Sequence, residues 1–489
     1  MNRPPEMTGP QAESVAARWG LRLLLAGLIA AAFWLRLGDL GARPMHADEA
    51  NQAVRLGQLL ETGRYAFAAG EHGPTLYFFG LLPAWLRGQT TLAALTETTV
   101  RLTPALFGGA AVVLLFLLAR PLGWAAALGA TALFALAPPA VYYSRYFIQE
   151  TLLVTFTLAA LVCAHRWWTT GGRLWAAGAG ACVSMMAATK ATAPVLAAAA
   201  LGGVLLGGRW RRLAELGRDQ RALGAAGGAA IVVWLAFYSS FGANLPGWRE
   251  GLATYGAMLL RAVGGETGHD KPWWYYGSLF VFQRRGGLVW DQTAFLLLAV
   301  AGAAVAWRRG GLARFAAGYV GIIAVLWSLT PYKTPWLVLS LVPGLCLLAG
   351  VALAHWRAPV AVPLALAVVA WQGWQTRQAV FLRPADPRNP YAYVHTAPDM
   401  LKVPALAAAA PPGPVKVISE EYWPLPWYLR ARSEVGYWAQ PPADCDGPLV
   451  FASAGQAEAV RARLRRSYRE DFLGLRPGFV LVVFTPAAR

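Results

Sequence analysis

Residues 101–119 read RLTPALFGGAAVVLLFLLA. One arginine at the start is followed by an almost unbroken apolar run, long enough as a helix to cross a hydrocarbon layer about 30 Å thick. Similar runs recur on both sides. They lie at approximately 20–38, 122–141, 148–166, 174–189, 192–208, 222–241, 288–307, 313–330, 335–354 and 358–375. With 101–119 they make eleven expected spans of a helical polytopic membrane protein. The composition agrees: of 489 residues, 57% are hydrophobic and only 14% charged, well above the apolar share of an ordinary globular chain.

The stretch Thr75–Leu86 is also apolar, but its twelve residues are too short to span, and it is assigned to an interfacial helix. With the N-terminus inside, the inward segments then carry Arg3, Arg18, Arg120, Arg166, Arg173, the group Arg209, Arg211, Arg212, Arg218 and Arg221, and Arg308, Arg309, Arg314 and Arg357. That is the positive-inside pattern. Counting Thr75–Leu86 as a span would put the Arg209–Arg221 loop outside. The first apolar run is as long as a true span and lacks a clear small-residue cleavage site, so it reads as a signal anchor. The net charge of +18 is dispersed over short loops, which argues for topology rather than nucleic acid, with anionic lipid as a secondary partner. Cys163, Cys182 and Cys346 fall in spans and Cys445 in the tail, so no disulfide or zinc framework is implied.

The expected organisation is a cytoplasmic tail (1–19), a transmembrane domain (20–375) and an extracytoplasmic α/β domain (376–489) of a protein in the plasma (inner) membrane. Function is sought on the outward face, in segments 39–100, 242–287 and the tail. A helix is expected over Asp48–Glu61, stopped by Gly63, and a second after Gly73-Pro74. In the tail, Val415–Ser419, Leu449–Ser453 and Phe479–Phe484 read as strands and Gln456–Arg469 as a helix.

Charged residues at the outer mouth are the chemical candidates. Asp48 and Glu49 open the first outward helix, where capping would also explain them. Glu150 is expected inside the fourth span beside Arg145, as a functional intramembrane acid or in a structural pair with that arginine. Lys190 and Lys333 sit in outward turns, as phosphate ligands or as snorkelling anchors. Such a set suits transfer of a group off a lipid phosphate: a carboxylate accepts the proton of an attacking hydroxyl while cations neutralise the departing phosphate. The run Trp423-Pro-Leu-Pro-Trp427-Tyr428 offers either a recognition surface or aromatic packing against the membrane domain.

The ordered set Asp48-Glu49, His72-Gly73-Pro74-Thr75-Leu76-Tyr77, Arg101-Leu-Thr-Pro104, Tyr143-Ser144-Arg145 with Glu150, Lys190 and Tyr332-Lys333 resembles the GT-C superfamily of polyprenyl-phosphate-sugar-dependent glycosyltransferases. The likeness falls in the branch of the dolichyl-phosphate-mannose protein mannosyltransferases and the bacterial aminoarabinose transferase. Met45-His-Ala-Asp-Glu-Ala50, Glu71-His-Gly-Pro74, Asn389-Pro-Tyr391, His395-Thr-Ala-Pro-Asp399 and Trp423–Tyr428 are more closely similar to the archaeal-type flippase-activity-associated membrane proteins of protein N-glycosylation.

The resemblance implies a hexosyltransferase with Asp48 as general base, Glu49 as its partner and Glu150 as a second acid near the donor sugar. It puts Arg145, Lys190, Lys333 and the weaker candidate His72 at the donor phosphate, and Tyr77, Tyr332, Trp423 and Trp427 on an acceptor or partner surface. Mg²⁺ or Mn²⁺ held by Asp48, Glu49 and Glu150 is an open option. Implied partners are a polyprenyl-phosphate-linked sugar, membrane lipids and a protein or glycan acceptor. Two other readings stand beside it: a non-catalytic, flippase-associated handler of lipid-linked sugars, and an ion-coupled transporter, for which the chain lacks the expected inverted repeats. Gly73 stands where the transferases commonly have a second proline, and Glu150 where they have Asp.

Overall fold

The computed structural model describes residues 15–208, 210–263 and 269–487. Most of the expected tail 1–19, with Arg3, lies outside these residues, as does Arg209. The chain opens with helix α1 (Val15–Leu37), then α2 (Ala47–Thr62), α3 (Thr75–Leu86), α4 (Glu97–Ala119), α5 (Trp124–Leu136), α6 (Pro138–Tyr143), α7 (Glu150–Thr170), α8 (Arg173–Ala187) and α9 (Ala193–Leu206). It continues with α10 (Trp210–Leu216), α11 (Gln220–Tyr238), α12 (Gly247–Val263), α13 (Tyr275–Ser278), α14 (Thr293–Arg309), α15 (Gly311–Leu329), α16 (Val342–His355) and α17 (Ala358–Thr376).

Each of the eleven expected spans contains a helix. Among the described residues, six are long and apolar enough to cross a membrane by length and composition: Arg18–Leu37, Glu97–Leu122, Glu150–Thr170, Gln220–Tyr238, Gly311–Leu329 and Pro335–His355. The expected span 288–307 begins late. Gly286 and Gly287, at φ 50° and 83°, make a two-residue hairpin turn between β1 (Gln283–Arg285) and β2 (Leu288–Trp290), and α14 starts only at Thr293. Both turn positions need φ > 0, which glycine adopts without a Cβ clash.

Helix α2 starts on a capping box. His46 is the N-cap, its Nδ1 accepting from the Asp48 amide, and Glu49 accepts from the His46 amide; Gly63 ends the helix in the left-handed region. The cap is therefore His46 with Glu49, not Asp48. The loop before α3 is pinned to the turn after α8: Gly73 N–H donates to Thr189 O, Thr75 N–H donates to Ala188 O, and the Thr75 and Thr189 hydroxyls are 2.8 Å apart. A Cβ on Gly73 would collide with the Ala188 carbonyl, which explains a glycine at this position.

The C-terminal part adds β3 (Val415–Ile418), β4 (Val435–Trp438), β5 (Leu449–Ser453), β6 (Tyr468–Arg476) and β7 (Phe479–Pro486), in sheet order β4-β3-β5-β7-β6. β3 runs parallel to β4 and β5, while β7 runs antiparallel to β5 and β6. Short helices α18 (Val403–Ala409), α19 (Leu425–Tyr428) and α20 (Ala457–Arg461) accompany the sheet. The expected helix Gln456–Arg469 is thus cut to five residues, because from Tyr468 onward the backbone is taken up by antiparallel pairing with β7.

The α19 segment is seated on residues 45–97. Trp427 is fully buried, its indole N–H 2.7 Å from a Glu97 carboxylate oxygen, with the Arg430 guanidinium 3.9 Å from its ring centroid. The Tyr428 hydroxyl accepts from the Met45 amide at 2.8 Å, and Arg430 donates to Leu95 O. Trp427 therefore serves the packing alternative, not an exposed recognition surface. Trp423, by contrast, is half-buried.

Candidate active site

Asp48 and Glu49 have opposite surroundings. The Glu49 side chain has no exposed surface and accepts from Arg43, from Arg101 at 2.9 and 3.0 Å, and from the amides of His46 and Phe147. Burial alone would raise its carboxyl, but Arg101 and Arg43 outweigh that and hold it at about 2. With its lone pairs taken by donors, Glu49 is a structural anion tying the 43–49 segment to α4. Asp48 keeps a 52% exposed side chain, 3.8 Å from the His46 ring.

Asp48 is followed on the same face of α2 by Gln52 and Arg55, at the i+4 and i+7 positions. Gln52 accepts from Gln149 at 3.1 Å and from the Tyr77 hydroxyl. Arg55 pairs with Glu71 at 2.5 Å and reaches Asn51 and the Tyr65 hydroxyl. Tyr77 is thus buried in this polar layer, 4.6 Å from the Tyr65 ring centroid, and does not reach an acceptor surface.

Glu150 pairs with Lys190 and not with Arg145, and both partners are buried. The pair adjoins the α2 face through Gln149, and His72 precedes the Gly73 strap that holds the Lys190 turn. Arg145 instead gathers the terminal carbonyls of α1, donating to Leu35, Arg36, Gly38 and Asp39. It lines a small hollow with Arg43, Arg101 and Phe381, and Asp48 is not part of that wall. Its Nη1 and Nη2 thus serve the carbonyls at the end of α1, while the guanidinium also borders this hollow.

Lys333 is buried as well, its ammonium donating to Lys271 O at 3.2 Å and to Thr330 O. Its backbone N–H donates to His269 O, and Asp270 bridges Tyr332. Segment 269–271 is in this way fixed against the Tyr332–Lys333 turn. Tyr332 is 40% exposed and lies 4.9 Å from the His269 ring.

The tail supplies residues that sequence reasoning missed. The Tyr393 carbonyl takes a hydrogen bond from His46 Nε2 at 3.0 Å, and its hydroxyl lies 2.9 Å from His269 Nδ1. The Lys271 ammonium stands 5.8 Å from the Tyr393 ring centroid. Burial first, and the Asp48 charge second, push the Tyr393 phenol up. His395 is buried with Nε2 3.1 Å from the Arg43 guanidinium, and burial, with Arg43 next, holds it well below its ordinary range, so it is neutral. The four expected site charges are therefore linked through neighbours rather than gathered in contact: Asp48 to Tyr393 by way of His46, Tyr393 to the segment that Lys333 anchors, and Gln52 to the residue preceding the Glu150–Lys190 pair.

Among the described residues no group of three metal-ligating side chains forms. Glu49 is occupied by guanidinium groups and Glu150 by Lys190, so the residues present do not fit a metal held jointly by Asp48, Glu49 and Glu150. A second, small hollow is lined by apolar side chains including Leu115, Val154, Leu196, Phe315 and Leu347, contributed by α4, α7, α9, α15 and α16.

Six of the described helices are long and apolar enough to cross a membrane, and the fold that carries them has counterparts among known proteins. Residues 80–237 match the family model of dolichyl-phosphate-mannose-protein mannosyltransferases. Among solved structures, the chain is similar to ArnT from Cupriavidus metallidurans bound to undecaprenyl phosphate, with a TM-score of 0.69 at 17% identity, covering 96% of this chain and 98% of that one. It is also similar to the apo oligosaccharyltransferase of Archaeoglobus fulgidus, with a TM-score of 0.52 at 12% identity over 94% of this chain and 74% of that one. No curated protein matches the sequence. The family model and the structural likenesses point together to the GT-C glycosyltransferase superfamily.

Proposed function

We propose that the protein is an inverting glycosyltransferase that moves a sugar from a polyprenyl-phosphate donor to a protein or glycan hydroxyl on the outer face of the plasma membrane. In this reading all eleven apolar helices span, the N-terminus is inside, and segments 39–100, 242–287 and 376–489 are extracytoplasmic. The arginines at the helix ends, Arg120, Arg166, Arg173, Arg308, Arg309 and Arg357, support that orientation.

The observation that carries the reading is the exposed Asp48 carboxylate at the start of α2, beside Tyr393, in a chain with the ArnT fold over nearly its whole length. Asp48 takes the acceptor hydroxyl proton as the oxygen attacks the anomeric carbon. The bond from that carbon to the phosphate oxygen breaks on the opposite side, and the polyprenyl phosphate leaves with the electron pair.

For the departing phosphate, Lys271 is the cation whose use costs least rearrangement. Lys190 would first have to exchange Glu150, and Lys333 its carbonyls. His72 stays a candidate beside the Lys190 turn.

The test is reconstitution of purified protein in liposomes with a radiolabelled polyprenyl-phosphate hexose and candidate acceptors. Label on the acceptor and release of polyprenyl phosphate are expected from the wild type and not from Asp48→Asn. Headgroup crossing without any glycosylated product would contradict transfer and support the flippase-associated alternative.

A further inference from the structure

Val394 is a β-branched residue at φ 46°, in the left-handed region where side chains other than those of glycine, asparagine and aspartate are rare. Its own side chain is 48% exposed, so packing of that side chain does not hold the backbone there. The contacts that do hold it belong to its two neighbours. Tyr393 reaches His46 through its carbonyl and His269 through its hydroxyl, and its ring stands edge-on to Trp336 at 5.9 Å. His395 reaches Arg43, the partner of Glu49. An observed backbone outlier held by flanking contacts is a pointer to function.

We infer that Tyr393, a residue of the tail, is a positioning residue for the donor's lipid phosphate: its hydroxyl fixes His269, and with it Lys271, on the Asp48 side of the site. The inference rests on the transferase reading and deepens it. Lys333 already clamps segment 269–271 from behind through Lys271 O. Tyr393 holds the same segment from the front, so the Lys271 ammonium has a defined place between the tail and the Tyr332 turn. Without the hydroxyl, the Lys333 clamp would remain but His269 would lose its hydrogen bond across to the tail.

The experiment compares wild type, Tyr393→Phe, His269→Ala and the double variant in nanodiscs. It measures Kd for undecaprenyl phosphate and, separately, donor KM and kcat. Either single variant is expected to raise Kd and KM about tenfold with kcat within about twofold of wild type, and the double variant to be no worse than one single variant, because both remove the same bond. Val394→Gly, which adopts the same backbone freely, is expected to keep wild-type Kd. Asp48→Asn is expected to bind the lipid normally while losing turnover, so loss of the transferase reading and loss of this inference are read separately.

Unchanged Kd and KM in a folded Tyr393→Phe would overturn the inference, as would a fall in kcat and melting temperature with KM untouched, or additive losses in the double variant. Displacement of the lipid by an equal concentration of inorganic phosphate would point to a free-phosphate site and also overturn it.

Discussion

Asp48 and Glu49 are neighbours in the chain but not in environment: the Asp48 side chain is 52% exposed and the Glu49 side chain not at all. The helical turn between them sends one carboxylate to the solvent-accessible face of α2 and the other into a pair of guanidinium groups. One acidic dipeptide therefore supplies both a base for the proposed reaction and the anion that holds the base's helix in place.

Glu49→Gln should destabilise the protein by about 3–5 kcal/mol, since Arg43 and Arg101 would be left buried without their counter-charge. The check is a thermal melt in detergent. Reduced turnover with an unchanged melt would assign Glu49 a chemical role instead.

The pH dependence of stability follows from the same group. The folded carboxyl sits at about 2 against an ordinary 4.5, because Arg101 and Arg43 outweigh the effect of burial. Stability from this site is fully present above about pH 4.5 and is lost as pH falls toward 2. Melts from pH 6 to 3 should show the loss in wild type and a flatter profile in Glu49→Gln.

Gly73→Ala should disrupt the strap between the His72–Thr75 loop and the Thr189–Lys190 turn, because the added methyl meets the Ala188 carbonyl. A lower melting temperature together with weaker donor affinity is expected, read by melting and by lipid titration. A variant that melts and binds like wild type would show that the strap is dispensable.

Lys190→Met alone should cost about 3–5 kcal/mol by leaving Glu150 buried and unpaired, whereas Lys190→Met with Glu150→Gln should recover much of that loss. Melting both variants tests the pairing. Equal damage in the single and double variants would mean that the two charges do not depend on each other.

Much of the fold is legible from local pattern. Long apolar runs mark the helices, Gly63 stops α2, and the short apolar stretches at 415, 449 and 479 become strands. Pairing across distance is not legible in the same way. Arg43 and Arg101 read as separate basic residues until folding brings both to Glu49, and Glu150 lies five residues from Arg145 yet pairs with Lys190, forty residues away. The basic run Arg461–Arg466 resembles a solvated helix face, but strand β6 begins just beyond it because β7 offers a partner. Tyr393 and His269 carry no local signature of their own, and they meet only because the tail folds back over the 269–271 segment.

The most direct measurement is single-turnover transfer from a radiolabelled polyprenyl-phosphate hexose by wild type and Asp48→Asn, with the lipid Kd measured on the same samples. Proton removal by a positioned carboxylate contributes about 10²–10⁴-fold, so the variant should bind the lipid as wild type does and transfer at least a hundredfold more slowly. Transfer by Asp48→Asn at the wild-type rate would contradict the assignment of the base and, with it, the proposed mechanism.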